Sequence, residues 1–161
     1  MRCIRAPLHP VAEDAAQSTF NYTQGNRPST FAMATMMKPT NCHLWQMKTL
    51  TSKDLHGCFE LVEEMSEEDS HYRRALLRCK SCGQLYLYEF YEWIEWEGGN
   101  DPQYQTWIPV ASREEAVEVN KADYIELLKF SPRLQSDFPK DASEPKVFWV
   151  GRNSILGFTR S

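Results

Sequence analysis

The sequence predicts an α+β fold, in which an antiparallel β-sheet is accompanied by one or two helices in the C-terminal half and preceded by a disordered N-terminal extension. Three observations predict this fold. Apolar and polar residues alternate in several segments from about residue 54, a helix-capping sequence begins at Ser112, and only three of the 20 aromatic residues precede residue 41. The chain has 161 residues, of which 42% are hydrophobic, and this is enough for one domain with its own core.

The first 40 residues differ in composition from the rest of the chain. Four prolines interrupt any hydrophobic periodicity, and few apolar side chains are present to offset the entropy of ordering the chain. We therefore predict a flexible extension over residues 1–40, of which residues 1–36 can be removed at little cost in stability, and a single domain over residues 41–161. A transit-like leader is the alternative, which the acidic residues Glu13 and Asp14 disfavour.

Composition also indicates the cellular compartment of the protein. The first residues lack the apolar stretch of a secretory signal, and the chain contains no uncharged apolar run long enough to span a bilayer. Five cysteines are an odd number, whereas secreted disulfide scaffolds are denser in cysteine and usually even-numbered. We expect a cytoplasmic protein that does not associate with membranes.

Two alternating segments predict a β-hairpin. The first begins at about residue 54, the second runs from Tyr72 to Cys79, and an acidic turn separates them. A turn centred near Glu68 would pair Phe59 with Leu77 and Glu63 with Arg73, and so match apolar with apolar and acid with base. A helix over residues 52–65 is the alternative, because Leu55, Phe59, Val62 and Met65 also have helical spacing.

The remaining elements follow from local signals. Aromatic and branched residues over 84–97 predict a strand, a turn follows at 98–102, and residues 103–110 predict the returning strand. The capping box from Ser112 to Glu115 opens a helical stretch to Lys129 with a break near Asn120. A proline-rich connection then leads to a short strand over 146–150.

The sequence Cys79-Lys80-Ser81-Cys82-Gly83 is the most specific motif. A CxxC turn ending in glycine can direct both sulfurs at one tetrahedral zinc ion, and the flanking Arg78 and Lys80 favour the thiolate forms. A redox-active pair is the alternative, but that motif belongs at the start of a helix, and here a strand is predicted to follow.

A structural zinc ion needs two further ligands. The predicted hairpin brings Cys58 near Cys79, and Cys42 lies just ahead of the domain. We predict Cys79, Cys82, Cys58 and Cys42 as the ligands because zinc favours thiolates, with His56 and His43 as competitors for the last two positions.

These residues resemble a known family. The sequence CKSCGQLYLYEF is similar to the second half of a zinc ribbon, and Cys42-His43-Leu44-Trp45 is similar to the first knuckle of some small bacterial and phage zinc-ribbon proteins. The resemblance covers about residues 42–90. It implies a zinc-ribbon-like hairpin, a structural zinc ion and often a binding role, but it names no activity.

Acidic and aromatic residues are interleaved over 89–101. We predict that Glu95 and Glu97 attract a basic protein partner and that Trp96 anchors it, which makes the protein an acidic, zinc-stabilised binding module of the adaptor or toxin-neutralising type. One alternative is a nucleic-acid-associated zinc ribbon, which the net charge of −4 disfavours. The other is a divalent-metal-dependent hydrolase that uses the carboxylates of this segment. The sequence contains no nucleophile elbow, phosphate-binding loop or zinc-protease motif, so an enzyme is the less favoured interpretation.

Overall fold

A computed structural model describes residues 36–67, 70–94, 98 and 101–152, all of them within one compact unit, Phe31–Ser161. In this part of the chain six strands form one antiparallel sheet in sequential order, so the predicted antiparallel sheet is confirmed. The strands are β1 (Phe59–Glu64), β2 (Tyr72–Cys79), β3 (Leu85–Glu92), β4 (Gln103–Val110), β5 (Arg133–Phe138) and β6 (Lys146–Val150). The described helices are short: α1 (His43–Gln46), α2 (Ser52–Leu55), α3 (Arg113–Val119) and α4 (Tyr124–Leu127).

The first hairpin forms, but its predicted register is wrong by two residues. Phe59 pairs with Cys79 and Leu61 with Leu77, and a bulge then shifts the register between Leu61 and Glu63. The strand begins at Phe59 and not near residue 54, because the Thr51 N–H and hydroxyl both donate to the Asp54 carboxylate and start α2. Of the alternative helix over 52–65, only the single turn Ser52–Leu55 forms.

The bulge also changes the ion pairs of β1. Glu63 pairs with Arg113 at 2.6 Å and not with Arg73, whose partner is Glu64. An inserted residue rotates the strand beyond it, so successive carboxylates reach different partners. The Arg113 guanidinium holds the pKa of the Glu63 carboxyl below its usual range.

Later elements agree with the local signals, with two exceptions. The strand predicted over 84–97 ends at Glu92, and an additional strand, β5, forms where a connection was predicted. Strands β4 and β6 have the predicted bounds, the Ser112 hydroxyl accepts from the Glu115 N–H at the start of α3, and the helical stretch breaks after Val119. Residues 133–138 were predicted to be part of a connection, but they form β5. Only two residues of β5 are strongly apolar and prolines flank it on both sides, so its alternation is weak.

Alternate side chains of the sheet contribute to two cores. On one face Leu76, Leu87 and Ile108 pack against α3 and α4. On the opposite face Tyr86 and Trp107 pack against the segment that contains α1 and α2. The sheet is therefore covered on both sides, as its aromatic-rich strands require.

Met36 is part of the first core. It is 5% exposed, and its N–H donates to the Ser131 carbonyl at 2.9 Å. The packed part of the chain thus begins before the predicted boundary at residue 41, whereas residues 1–35 of the predicted extension lie outside the described residues.

A buried ion pair joins the helices to the sheet. The Arg74 guanidinium contacts the Glu89 carboxylate on the neighbouring strand at 2.6 Å, and the two side chains are each 6% exposed. Arg74 also donates to the carbonyls of Asn120 and Ala122, in the connection between α3 and α4. Burial raises the pKa of Glu89, and the Arg74 charge opposes this shift. The pair therefore orients the helical layer on the sheet.

The Met36→Ala variant should lower the free energy of unfolding by about 2–5 kcal/mol, because it removes a buried methionine side chain. Met37 is the matched control: it is 49% exposed, so Met37→Ala should change stability by less than about 0.5 kcal/mol. Chemical denaturation of the two variants measures the difference. Equal stabilities would show that the core begins after residue 36.

Replacement of Arg74 by Met should destabilise the protein by about 3–5 kcal/mol, because it leaves the Glu89 carboxylate buried without its counter-charge. The double variant Arg74→Met/Glu89→Leu should be more stable than the single variant, since it removes that carboxylate as well. Urea unfolding of both variants and the unaltered protein measures the two differences. A double variant less stable than Arg74→Met would contradict this account.

Candidate metal centre

Two of the predicted ligands lie where β2 meets the turn to β3. Cys79 is the last residue of β2, and its N–H donates to the Gln84 carbonyl at 2.8 Å. The Gly83 N–H donates back to the Cys79 carbonyl at 2.8 Å, with Gly83 at a φ of 76°, a conformation that favours glycine. This tight turn brings Cys82 alongside Cys79.

The third cysteine comes from a segment that is anchored elsewhere. Cys42 precedes α1, whose Leu44 is buried and accepts a hydrogen bond from the Trp149 indole N–H at 2.9 Å. Trp45 packs edge-on against Trp149, with the ring centroids 4.8 Å apart. These contacts hold α1 against β6 and present Cys42 to the β2–β3 turn.

The three thiols have the spacing of metal ligands. The Sγ atoms of Cys42, Cys79 and Cys82 all lie within 4.8 Å of one another, and those of Cys42 and Cys79 are 3.9 Å apart. Two sulfurs bound to one tetrahedral zinc ion at about 2.3 Å would be separated by about 3.8 Å. The cluster can therefore hold a metal ion with little rearrangement.

Two further donors flank this cluster. The His43 Nδ1 atom is 3.9 Å from the Cys79 sulfur, and its Nε2 atom is 3.8 Å from the Cys58 sulfur. The Cys58 thiol donates to the Asp54 carbonyl at 2.8 Å. His56, the other predicted competitor, is exposed and lines an open cavity with Phe59, Tyr88 and Trp107, and it is not part of the cysteine cluster.

Burial raises the pKa values of two thiols in this region, Cys82 and Cys58. Partial desolvation is the main reason that the pKa of Cys82 is raised to about 12, and the Cys79 and Cys42 thiols add to the effect. Desolvation likewise raises the pKa of Cys58, followed by the charges of Cys79 and Cys42. A divalent cation reverses this effect because it stabilises thiolates directly.

The buried hydroxyl of Tyr86 gives a second indication that a metal-bound thiolate fits this site. Its hydroxyl is fully buried and has no hydrogen-bond partner among the described residues. Burial raises the pKa of Tyr86, and the adjacent Cys42 thiol raises it further. A metal-bound thiolate at Cys42 would accept this O–H donor, and such outer hydrogen bonds are typical of metal-ligating cysteines and histidines.

The predicted partner-binding residues, Glu95, Trp96 and Glu97, are not among those that the structure describes. Of the acidic residues before them, Glu89 is buried against Arg74, while Glu92 lies on the opposite face of the sheet and is bound by Gln103 and His71. These two carboxylates do not form a catalytic pair.

The three arginines of β2, which a nucleic-acid-binding zinc ribbon would use to contact phosphates, are neutralised by neighbouring carboxylates. Arg73 pairs with Glu64, Arg78 pairs with Glu60 at 3.2 Å, and Arg74 is buried. Phosphate binding requires accessible cations, so these arginines do not form a surface suited to nucleic acid.

Sequence reasoning missed a cavity on the helical face. This aromatic cavity, of about 270 Å³, is lined by the rings of Tyr91, Trp93, Tyr104 and Tyr124 and by the carboxylates of Glu89 and Asp137. Its residues come from β3, β4, β5 and α4 and from Trp93 and Leu128, which directly follow β3 and α4, and β5 was not predicted. The sequence signal was limited to the alternate aromatic residues Tyr91 and Trp93, at the end of β3 and just beyond it.

None of the helices in the described part of the chain is long and apolar enough to cross a bilayer. Comparisons with protein-family models, with curated proteins and with solved structures gave no match for this chain.

Proposed function

We propose that this protein is a small cytoplasmic binding module that is stabilised by a structural zinc ion and that recognises a basic protein partner. The convergence of the Cys42, Cys79 and Cys82 sulfurs carries the metal part of this proposal. Three thiolates in one site favour zinc among the common divalent cations, and a site closed by four protein ligands leaves no open position for catalysis.

The fourth ligand in this proposal is Cys58. It lies directly before β1, its thiol is electrostatically coupled to Cys79 and Cys42, and thiolate is the preferred zinc ligand. His43 is the competitor because its Nδ1 atom lies close to Cys79. As the neighbour of Cys42 in the chain, His43 would have to share the ion with an adjacent residue.

The metal ion would act as a clamp. Cys42 and Cys79 are 37 residues apart, and Cys42 lies in the segment that covers one face of the sheet. Helices of four residues are too short to be stable alone, so α1 and α2 depend on tertiary contacts. Metal-binding energy would thus contribute to folding.

Exposed apolar side chains support a binding role. Trp93, Tyr124, Ile125 and Leu128 are 52%, 44%, 54% and 42% exposed, and Trp93, Tyr124 and Leu128 line the aromatic cavity. Clusters of exposed apolar residues commonly mark interaction sites, and tryptophan and tyrosine are frequent anchors there. Glu95, Trp96 and Glu97 follow Trp93 closely in the chain, and we propose that they belong to the same contact surface.

The purified protein should contain about one zinc ion per chain by elemental analysis. The Cys79→Ser/Cys82→Ser variant should lose the metal and unfold at a lower temperature, because two ligands are missing. Cys3→Ser, which changes a cysteine outside the candidate site, is the control and should keep the metal. Full zinc content in the double variant would exclude this site.

Cobalt substitution distinguishes the two candidates for the fourth ligand. Charge-transfer absorption from thiolate to cobalt should fall by about a quarter in Cys58→Ser and stay unchanged in His43→Gln, because one of four thiolates is lost only in the first variant. The reverse result would assign His43 to the metal.

Association with immobilised polylysine should slow as salt rises, because opposite charges accelerate encounter. Glu95→Gln/Glu97→Gln should lower the association rate and flatten its salt dependence, whereas Trp96→Ala should mainly raise the dissociation rate. Glu60→Gln/Glu118→Gln removes two exposed carboxylates elsewhere and is the control for net charge.

Surface-binding kinetics at several salt concentrations measure these rates, with circular dichroism as the check on folding. Preferential binding to a single-stranded oligonucleotide would contradict the proposed class of partner. Equal association rates for the two double variants would place the contact surface outside residues 95–97.

A further inference from the structure

The aromatic cavity is built from one row of the sheet and the helix above it. Tyr91, Tyr104 and Asp137 occupy directly paired positions on β3, β4 and β5, so their side chains emerge side by side on the helical face. Tyr124 of α4 stacks on Tyr91, with centroids 5.3 Å apart and planes 8° apart. Trp93, two residues after Tyr91, completes the wall.

The rings enclose a space and do not form a flat platform. The plane of Trp93 is inclined by 67° to that of Tyr91, with the centroids 6.5 Å apart. Tyr124 covers one face of Tyr91, so a broad planar ligand cannot stack there. Rings that meet at a steep angle around a small volume are suited to a compact cation, which aromatic faces attract through their quadrupole.

The charges in the lining also favour a cation. Glu89 and Asp137 line the cavity, and no lysine or arginine is among the described residues of its lining. Glu89 is already bound by Arg74, so Asp137 is the carboxylate that can accept a new partner. Asp137 is half-buried and accepts a hydrogen bond of 3.2 Å from Gln135 on its Oδ1 atom.

Two cations, Arg133 and Lys146, act on the Asp137 charge, but neither forms a close ion pair with it in the described part of the chain. Lys146 is its partner in the β5–β6 register, but the Lys146 ammonium lies 5.9 Å from the centroid of the Phe148 ring. Arg133 donates to Gln135 and to the Phe130 carbonyl. Burial raises the pKa of Asp137, and the Gln135 hydrogen bond and the charges of Arg133 and Lys146 oppose this shift.

We infer that the aromatic cavity binds the side-chain ammonium of a lysine on the partner protein, with Asp137 accepting a hydrogen bond from the ammonium and the aromatic rings enclosing the side chain. This inference rests on the proposed basic partner and specifies how its charge is recognised. A phosphate group is disfavoured because the described residues of the lining include two carboxylates and no lysine or arginine. A sugar ring is disfavoured because it needs an open stacking face.

The test is a titration of the full-length, zinc-loaded protein with N-acetyl-lysine methylamide, followed through the indole N–H signal of Trp93 in NMR spectra. The norleucine analogue has a similar apolar chain without the ammonium, so it should bind at least about fivefold more weakly. The trimethyllysine analogue has no N–H to donate to Asp137, so it should bind more weakly than lysine.

Two variants probe the protein side. Asp137→Asn should weaken binding of the lysine probe at least about fivefold, and Trp93→Ala should weaken it as well. Glu60→Gln removes one carboxylate on the edge strand β1 and should leave binding unchanged. Unaltered chemical shifts of signals remote from the cavity show that the variants remain folded.

Equal affinities for lysine and norleucine probes, or equal effects of Asp137→Asn and Glu60→Gln, would overturn the inference. Polylysine binding separates this failure from that of the proposed function. If Asp137→Asn binds polylysine as the unaltered protein does, the proposed function stands and the lysine site is wrong. If the unaltered protein does not bind polylysine, the proposed class of partner is wrong, and the lysine site that rests on it is wrong as well.

Discussion

The approach of Cys42 to Cys79 is the contact on which one half of the structure depends. The sheet carries aromatic side chains on both faces, and each face must be covered to exclude water. On one side the cover consists of two four-residue helices and their connections, which have little stability of their own. Their attachment relies on the buried Leu44, on the Trp149 hydrogen bond and on the thiols that meet at the β2–β3 turn.

The helices that cover the other face of the sheet are attached by a buried arginine. There α3 and α4 are also short, but the Arg74 guanidinium reaches from the sheet to two carbonyls in the connection between them. Its pairing with Glu89 fixes the position of that charge inside the fold. A buried pair of this kind gives little net stability, but it penalises any arrangement that separates the partners.

In the proposed function the two faces of the sheet have separate roles: one would hold the stabilising metal ion, and the other would bind the partner. The thiol cluster lies on the face covered by α1 and α2, while the aromatic cavity opens on the face covered by α3 and α4. A partner could engage Trp93 and Asp137 without contact with the metal ligands. In the proposed arrangement a metal ion would keep one layer in place, and the opposite surface would bind the partner.

Local patterns in the sequence were sufficient for much of this structure, because their causes lie within a few residues. The bounds of β4 and β6, the Ser112 cap and the paired positions of Cys79 and Cys82 follow from alternation, capping and a CxxC turn. Tertiary contacts decided the rest. The register of the first hairpin differs from the predicted one by two residues, and the bulge in β1 adds a further shift. Residues 133–138 form β5 because they pair with β4 and β6, and α1 lies at the β2–β3 turn because it packs on β6. The aromatic cavity depends on residues from three strands and a helix, and no local pattern reports such a juxtaposition because it exists only once the strands are paired.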